Sequence, residues 1–199
     1  MTTASIAALD QMELLKLALD ASRNSNHGAA LAYLKEAVSR TDATATVHHL
    51  LGAEYAQIQM MDRAIVEMEA ALALDSTLST ARLQLGLLLM GTGANAAARA
   101  LAVLQPLDGL HADDALRYFG QGLSLLIRDE YQNAITLLIK GMELNASNAA
   151  LNIDMQKIIT EIGKLPQEVL NKSRDTDGLP EDPSARHIFL SAYTGSRNQ

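Results

Sequence analysis

The sequence predicts an all-α fold built from antiparallel helix pairs stacked as a repeat, and three observations predict it. Small residues recur at fixed intervals: Ala18, Gly52 and Gly86 lie 34 apart and Gly122 follows 36 later, and the same steps relate Ala30, Ala64, Ala98 and Ala134. Around each mark, apolar residues recur at the three-to-four spacing of a buried helix face. The apolar share of 48% comes with only 4% aromatics and no Trp, so Ala, Leu, Ile and Met carry it, which suits helices packed closely on helices better than sheets.

Taken in order, the marks define four units of two helices each, at about residues 11–44, 45–78, 79–112 and 115–148. In the second, Leu51-Gly52-x-x-Tyr55 is followed by Ala64-Ile65, Met68 and Ala71. The fourth has Tyr118, Gly122 and Leu125, then Tyr131-x-x-Ala134-Ile135-x-x-Leu138-x-x-Gly141 and Glu143-Leu144-Asn145. This pattern resembles the tetratricopeptide repeat (TPR) family. The resemblance implies a right-handed α-solenoid of nine or more helices, held by close crossings at the small residues.

Departures from that pattern are specific. Ala21 stands where the family favours Tyr, Gln121 where an apolar residue is usual, and Asp42, Ser76 and Ala146 where a repeat commonly closes with Pro. Asp and Ser are good helix N-caps, so these turns should still start the next helix. The second helix of unit three fits worst. Its strict positions are Ala98, Ala102 and Gln105, but Ala97, Leu101 and Leu104 make the better apolar face, so a one-residue slip is expected there, with Pro106 ending the helix early.

After the repeats, Leu151, Met155, Ile158, Ile159 and Ile162 share one helical face over 149–163, with Ile153 off that stripe. This reads as a capping helix for the last pair. Domain organisation is therefore a repeat domain over 1–163 and a linker and tail over 164–199. The tail carries one apolar segment, 185–193, whose Ile188, Phe189 and Tyr193 are expected to dock on apolar surface.

Composition narrows function. A net charge of −7, with no two Lys or Arg adjacent, excludes a phosphate-neutralising face and hence a nucleic-acid partner. The longest apolar runs are too short to cross a bilayer, and the first residues contain no basic-then-apolar leader, so no membrane association and a cytoplasmic location are expected. With no Cys there is no thiol chemistry, and His48 and His49 diverge by about 100° on one helix, too far to chelate one metal. Asp175-x-Asp177-Gly178 lacks a calcium loop's closing carboxylate, since Ser184 stands there. No nucleophile elbow or phosphate loop is present, so no enzyme activity, catalytic residue, metal or cofactor is expected.

What remains is a protein-binding role. In the TPR family the groove is lined by first-helix positions one residue past the core stripe. Carried over, these are Met12, Leu15 and Leu19, then His49 and Ala53, then Leu83, Leu87 and Met90, and finally Leu116, Phe119, Leu123 and Leu126. The Lys, Asn and Arg clamp by which some members hold a chaperone's C-terminal carboxylate is absent, its places taken by Leu15, Leu19, Leu50, Thr80 and Gln84. The resemblance thus implies an adaptor or chaperone-like scaffold that takes an apolar peptide or amphipathic helix from another protein. The alternative is a structural, oligomerising protein whose groove is filled by its own or a neighbour's tail, the latter giving a homodimer.

Overall fold

In the computed structural model, residues 6–93 and 96–170 are described, and no strand occurs among them. From Gln11 onward ten α-helices follow one another among the described residues: α1 (Gln11–Arg23), α2 (His27–Val38), α3 (Ala45–Gln57), α4 (Met61–Leu74), α5 (Ser79–Thr92), α6 (Ala97–Leu104), α7 (Ala115–Ile127), α8 (Tyr131–Leu144), α9 (Ala149–Ile162) and α10 (Gln167–Leu170). A short 3-10 helix, Gln105–Gly109, continues α6. The first helices of the four pairs begin at Gln11, Ala45, Ser79 and Ala115, at the same intervals as the sequence repeat. The chain forms two compact units, residues 1–84 and 85–199.

In the first unit α1 packs on α2, α2 on α3 and α3 on α4. Asp10 starts α1 with a capping box: its Oδ1 accepts the Glu13 amide at 2.8 Å, while Glu13 Oε2 accepts the Asp10 amide at 2.8 Å. Leu14, Ala37 and Val47 join three helices in one buried cluster. At the α3–α4 crossing a Cβ on Gly52 would lie 3.1 Å from Met68 Cγ and 3.2 Å from the Ala64 carbonyl oxygen, so the absent side chain sets the helix approach. The expected caps are displaced. Thr44, not Asp42, precedes α3 and makes no side-chain cap bond. Beyond α4 it is Asp75, not Ser76, that organises the turn, its Oδ1 accepting the Thr77 hydroxyl at 2.6 Å and amide at 2.8 Å. Those two bonds, the hydroxyl's first, hold the Asp75 carboxyl below the usual aspartate range.

Three pairs turn between their helices in one way. Ser25, Gln59 and Asp129 take φ of 56°, 63° and 62°, and the next amide, of Asn26, Met60 or Glu130, donates to the carbonyl of Ala21, Tyr55 or Leu125 respectively. This is the Schellman closure, a place that favours glycine because a Cβ is strained at positive φ. Gln59→Gly should therefore raise stability by roughly 0.5–1 kcal/mol after the added freedom of the unfolded chain is subtracted. Asp129→Gly should gain nothing, because the Asp129 carboxylate accepts the buried Tyr131 hydroxyl at 2.9 Å. Chemical denaturation checks both; no gain for Gln59→Gly would rule out backbone strain there, and an equal gain for Asp129→Gly would mean that its bond to Tyr131 contributes nothing.

Unit three explains its own poor fit. Gly93, with φ 125°, occupies the turn place, but α6 starts only at Ala97, whereas the other second helices start at His27, Met61 and Tyr131, close behind Ser25, Gln59 and Asp129. The turn is thus longer by two. The buried positions move with it: Ala100, Leu104 and Leu107 are buried, while Ala98, Ala102 and Gln105, the strict repeat positions, are exposed. The slip is by two positions toward the C-terminus, opposite in direction to the one-residue slip toward the N-terminus expected from Ala97, Leu101 and Leu104, and it accounts for the longer step between Gly86 and Gly122. Gly86 accordingly meets Leu104, where the spacing of the Gly52–Met68 and Gly122–Leu138 contacts would have brought it to Ala102. Pro106, lacking an amide hydrogen, falls in the 3-10 turn after α6.

In the second unit α7 packs on α8 and on the 3-10 helix, and α9 on α8. The Asn148 side chain caps α9 by accepting the Leu151 amide at 3.0 Å. Leu151, Met155, Ile158 and Ile162 are buried, Ile159 is half-buried, and Ile153 is 57% exposed, so the stripe read from the sequence is the packed face.

Candidate partner-binding surface

The residues expected to line a groove divide sharply. On α1, Met12 is 79% and Leu19 40% exposed, and Leu15 between them is half-buried against the Leu14, Ala37 and Val47 cluster. Spaced three and four apart, they form one accessible apolar stripe on one helix. Met12 and Leu19 point to solvent because the other face of α1 supplies Leu14 and Ala18 to the core.

On α3, Ala53 and His49 are half-buried. His49 Nε2 lies 2.8 Å from Gln84 Oε1, so this side chain links α3 to the first half of α5. Its neighbour His48 is also half-buried and holds Glu67 of α4, Nδ1 to Oε2 2.8 Å. The two rings face different helices, and among the described residues no group of three His, Asp or Glu could hold a metal.

Leu83, Leu87, Met90, Phe119, Leu123 and Leu126 are a correction. All six are buried, at 0 to 6% exposure, so they are core side chains and not an open groove wall. Phe119 shows the reason most directly: a Cβ on Gly141 would lie 2.5 Å from its ring, so the ring fills the space that glycine leaves on α8. At the neighbouring Gly120 and Gly122 a Cβ would lie 2.8 Å from Leu107 and from Leu138. Small residues around α7 draw its large ones inward. Leu116, at the first turn of α7, is half-buried. Ile188, Phe189 and Tyr193, with the rest of 185–193, lie outside the described residues.

Two polar features escaped the sequence reading. Glu54 on α3 is 2% exposed; its Oε2 accepts the Ser22 hydroxyl of α1 at 2.7 Å, and its Oε1 lies 2.6 Å from Nδ1 of His27, the first residue of α2. One carboxylate thus ties three helices together. In the second unit an open cleft of about 470 Å³ lies among α6, the 3-10 helix, α7 and α8. Leu101, Leu125 and Leu137 give it apolar walls, and Gln105, Gln121, Asp108 and Arg128 give it polar ones. Gln121, the glutamine in an apolar repeat position, was the available signal for it. Ser22, His27 and Glu54 offered none, since their meeting depends on the crossing of three helices.

Two solved structures share this arrangement of paired helices. One, MamA from residue 41 to its end, from Desulfovibrio magneticus RS-1, is 17% identical with a TM-score of 0.58, over 95% of this chain and 97% of that one. The other, a crystal structure of MamA protein, is 16% identical with a TM-score of 0.54, over 95% and 96%. The fold is that of a helical repeat. The all-helical pairs and this likeness fit a repeat of the tetratricopeptide type. No protein-family model matches the chain, and no curated protein does. None of the described helices is long and apolar enough to cross a membrane.

Proposed function

We propose that the chain is a protein–protein interaction module, an adaptor or chaperone-like scaffold that takes an apolar peptide or amphipathic helix of another protein. The observation that carries this reading is the stripe of Met12, Leu15 and Leu19, in which Met12 and Leu19 are exposed and Leu15 half-buried, on a helix whose opposite face supplies Leu14 and Ala18 to the core. His49 and Ala53 of α3 belong to the same unit and are accessible in part. An amphipathic partner helix presenting apolar residues at the same three-to-four spacing would cover the stripe.

Met12→Glu combined with Leu19→Glu tests it. Both positions are exposed, so the thermal midpoint should hardly move, whereas saturable binding of apolar peptides from an array should fall at least about tenfold. Binding should also change little between low and moderate salt, since screening acts on charges and not on buried apolar contact. Undiminished binding by the double variant, or a steep loss with salt, would move the partner site elsewhere.

A further inference from the structure

The cleft of the second unit exists because unit three departs from the repeat. Its turn is longer by two, α6 stops at Leu104, and Gln121 takes a place that a repeat normally fills with an apolar side chain. Leu101, Leu125 and Leu137 are left half-buried around an opening of about 470 Å³, within the size range of sites that enclose a few side chains or a small ligand. Arg128 and Asp108 on its lining are exposed, and neither has an ion-pair partner among the described residues.

We propose that this cleft is the docking site of the chain's own apolar segment, residues 185–193, bound in cis with Phe189 as the anchor. This deepens the reading of the chain as a polypeptide-binding repeat, naming a ligand that competes from within. Three observations lead there. The described chain ends at Leu170, which is buried in the same unit as the cleft, with the stretch 171–199 still to follow. The part from 171 to 184 makes a tether of roughly 20 Å root-mean-square span and up to about 45 Å fully extended. A unit of about a hundred residues has a radius of gyration near ~13 Å, so the tether reaches most of its surface. Second, the segment gathers Ile188, Phe189, Leu190 and Tyr193, including one of only two Phe in the chain, which suits a cleft walled by leucines. Third, Arg186 lies in the segment and Asp182 just before it in the tether, opposite in sign to Asp108 and Arg128 on the lining. Tethering raises the local concentration to the millimolar range, so even a weak site is occupied.

The chain has no Cys, which permits a clean cross-linking test on the full-length protein. Ser191→Cys is paired with Ala102→Cys on the cleft lining or, as control, with Ile153→Cys on the exposed side of α9. Disulfide formation under oxidised glutathione is followed by mass spectrometry of the digest. Docking in cis requires the cleft pair to close at least about tenfold faster than the control, independently of protein concentration, because a disulfide needs its Cα atoms within about 7 Å. Adding Phe189→Ala, a change outside the helical repeat, should remove that advantage. Equal rates for both pairs, an advantage that survives Phe189→Ala, or a linked dimer whose yield rises with concentration would each overturn the proposal, the last by making a second copy the source of the segment. The assay uses no outside partner, so its failure leaves the α1 reading standing, and loss of peptide binding at α1 leaves this one.

Discussion

Phe119→Ala should cost about 3–5 kcal/mol of stability, the usual penalty for emptying a fully buried aromatic site. Phe119 is 0% exposed, and its ring occupies the space opposite Gly141. The converse change is informative: Gly141→Ala would place a methyl group 2.5 Å from two ring carbons and 3.2 Å from the Ala115 carbonyl oxygen, and a rigid ring cannot step aside as a long aliphatic chain can. The two substitutions should therefore couple, Gly141→Ala being much less harmful once Phe119 is alanine. Met12→Ala, at an exposed position, should lie within about 0.5 kcal/mol of the parent. Denaturant unfolding of these variants and the double decides whether Phe119 belongs to the core or to a binding face. A loss below about 1 kcal/mol at Phe119, with no coupling to Gly141, would return it to the surface.

His27→Ala should cost about 2–3 kcal/mol, because it leaves one oxygen of the buried Glu54 carboxylate without its partner. His27 is not itself deeply buried; its side chain is 23% exposed, so water can partly replace it, which keeps the figure below the full penalty for an isolated interior charge. Ser22→Ala should cost less, since a neutral hydroxyl gives a weaker bond than the imidazole at 2.6 Å. Replacing Glu54 by Leu removes the charge and the bonds together, so the His27→Ala, Glu54→Leu double variant should be less damaged than the sum of the singles by about 1.5–3 kcal/mol. Additive losses in that cycle would mean that the two side chains do not hold each other in solution.

Both predictions concern residues whose importance comes from contacts between helices. For Phe119 the sequence pattern pointed the wrong way: one position past the core stripe, it read as groove lining, because a single-helix pattern counts what its own partner helix covers. Two further glycines of α7, Gly120 and Gly122, let neighbours in from other directions, and the inward face widened beyond one stripe. On α1, which lacks such glycines and where Ala18 alone marks the crossing, the same pattern placed Met12 and Leu19 in solvent as read.

Local rules sufficed for much of the architecture. The interval of small residues, the three-to-four apolar spacing and the scarcity of aromatics together determined an all-helical repeat, the starts of its helix pairs and the buried face of α9, because helix periodicity and close crossing are encoded within one or two turns of chain. The displacement of α6 was only half legible. Its apolar face showed that something slips, but both the direction and the amount were set by Leu104 being the side chain that meets Gly86, a contact between two helices that neither helix's own pattern contains. The Ser22–Glu54–His27 tie and the cleft of Leu101, Leu125 and Leu137 were decided wholly by tertiary structure. Each forms where three or more elements converge, and a sequence records the chemistry of such residues without the distances that make them neighbours.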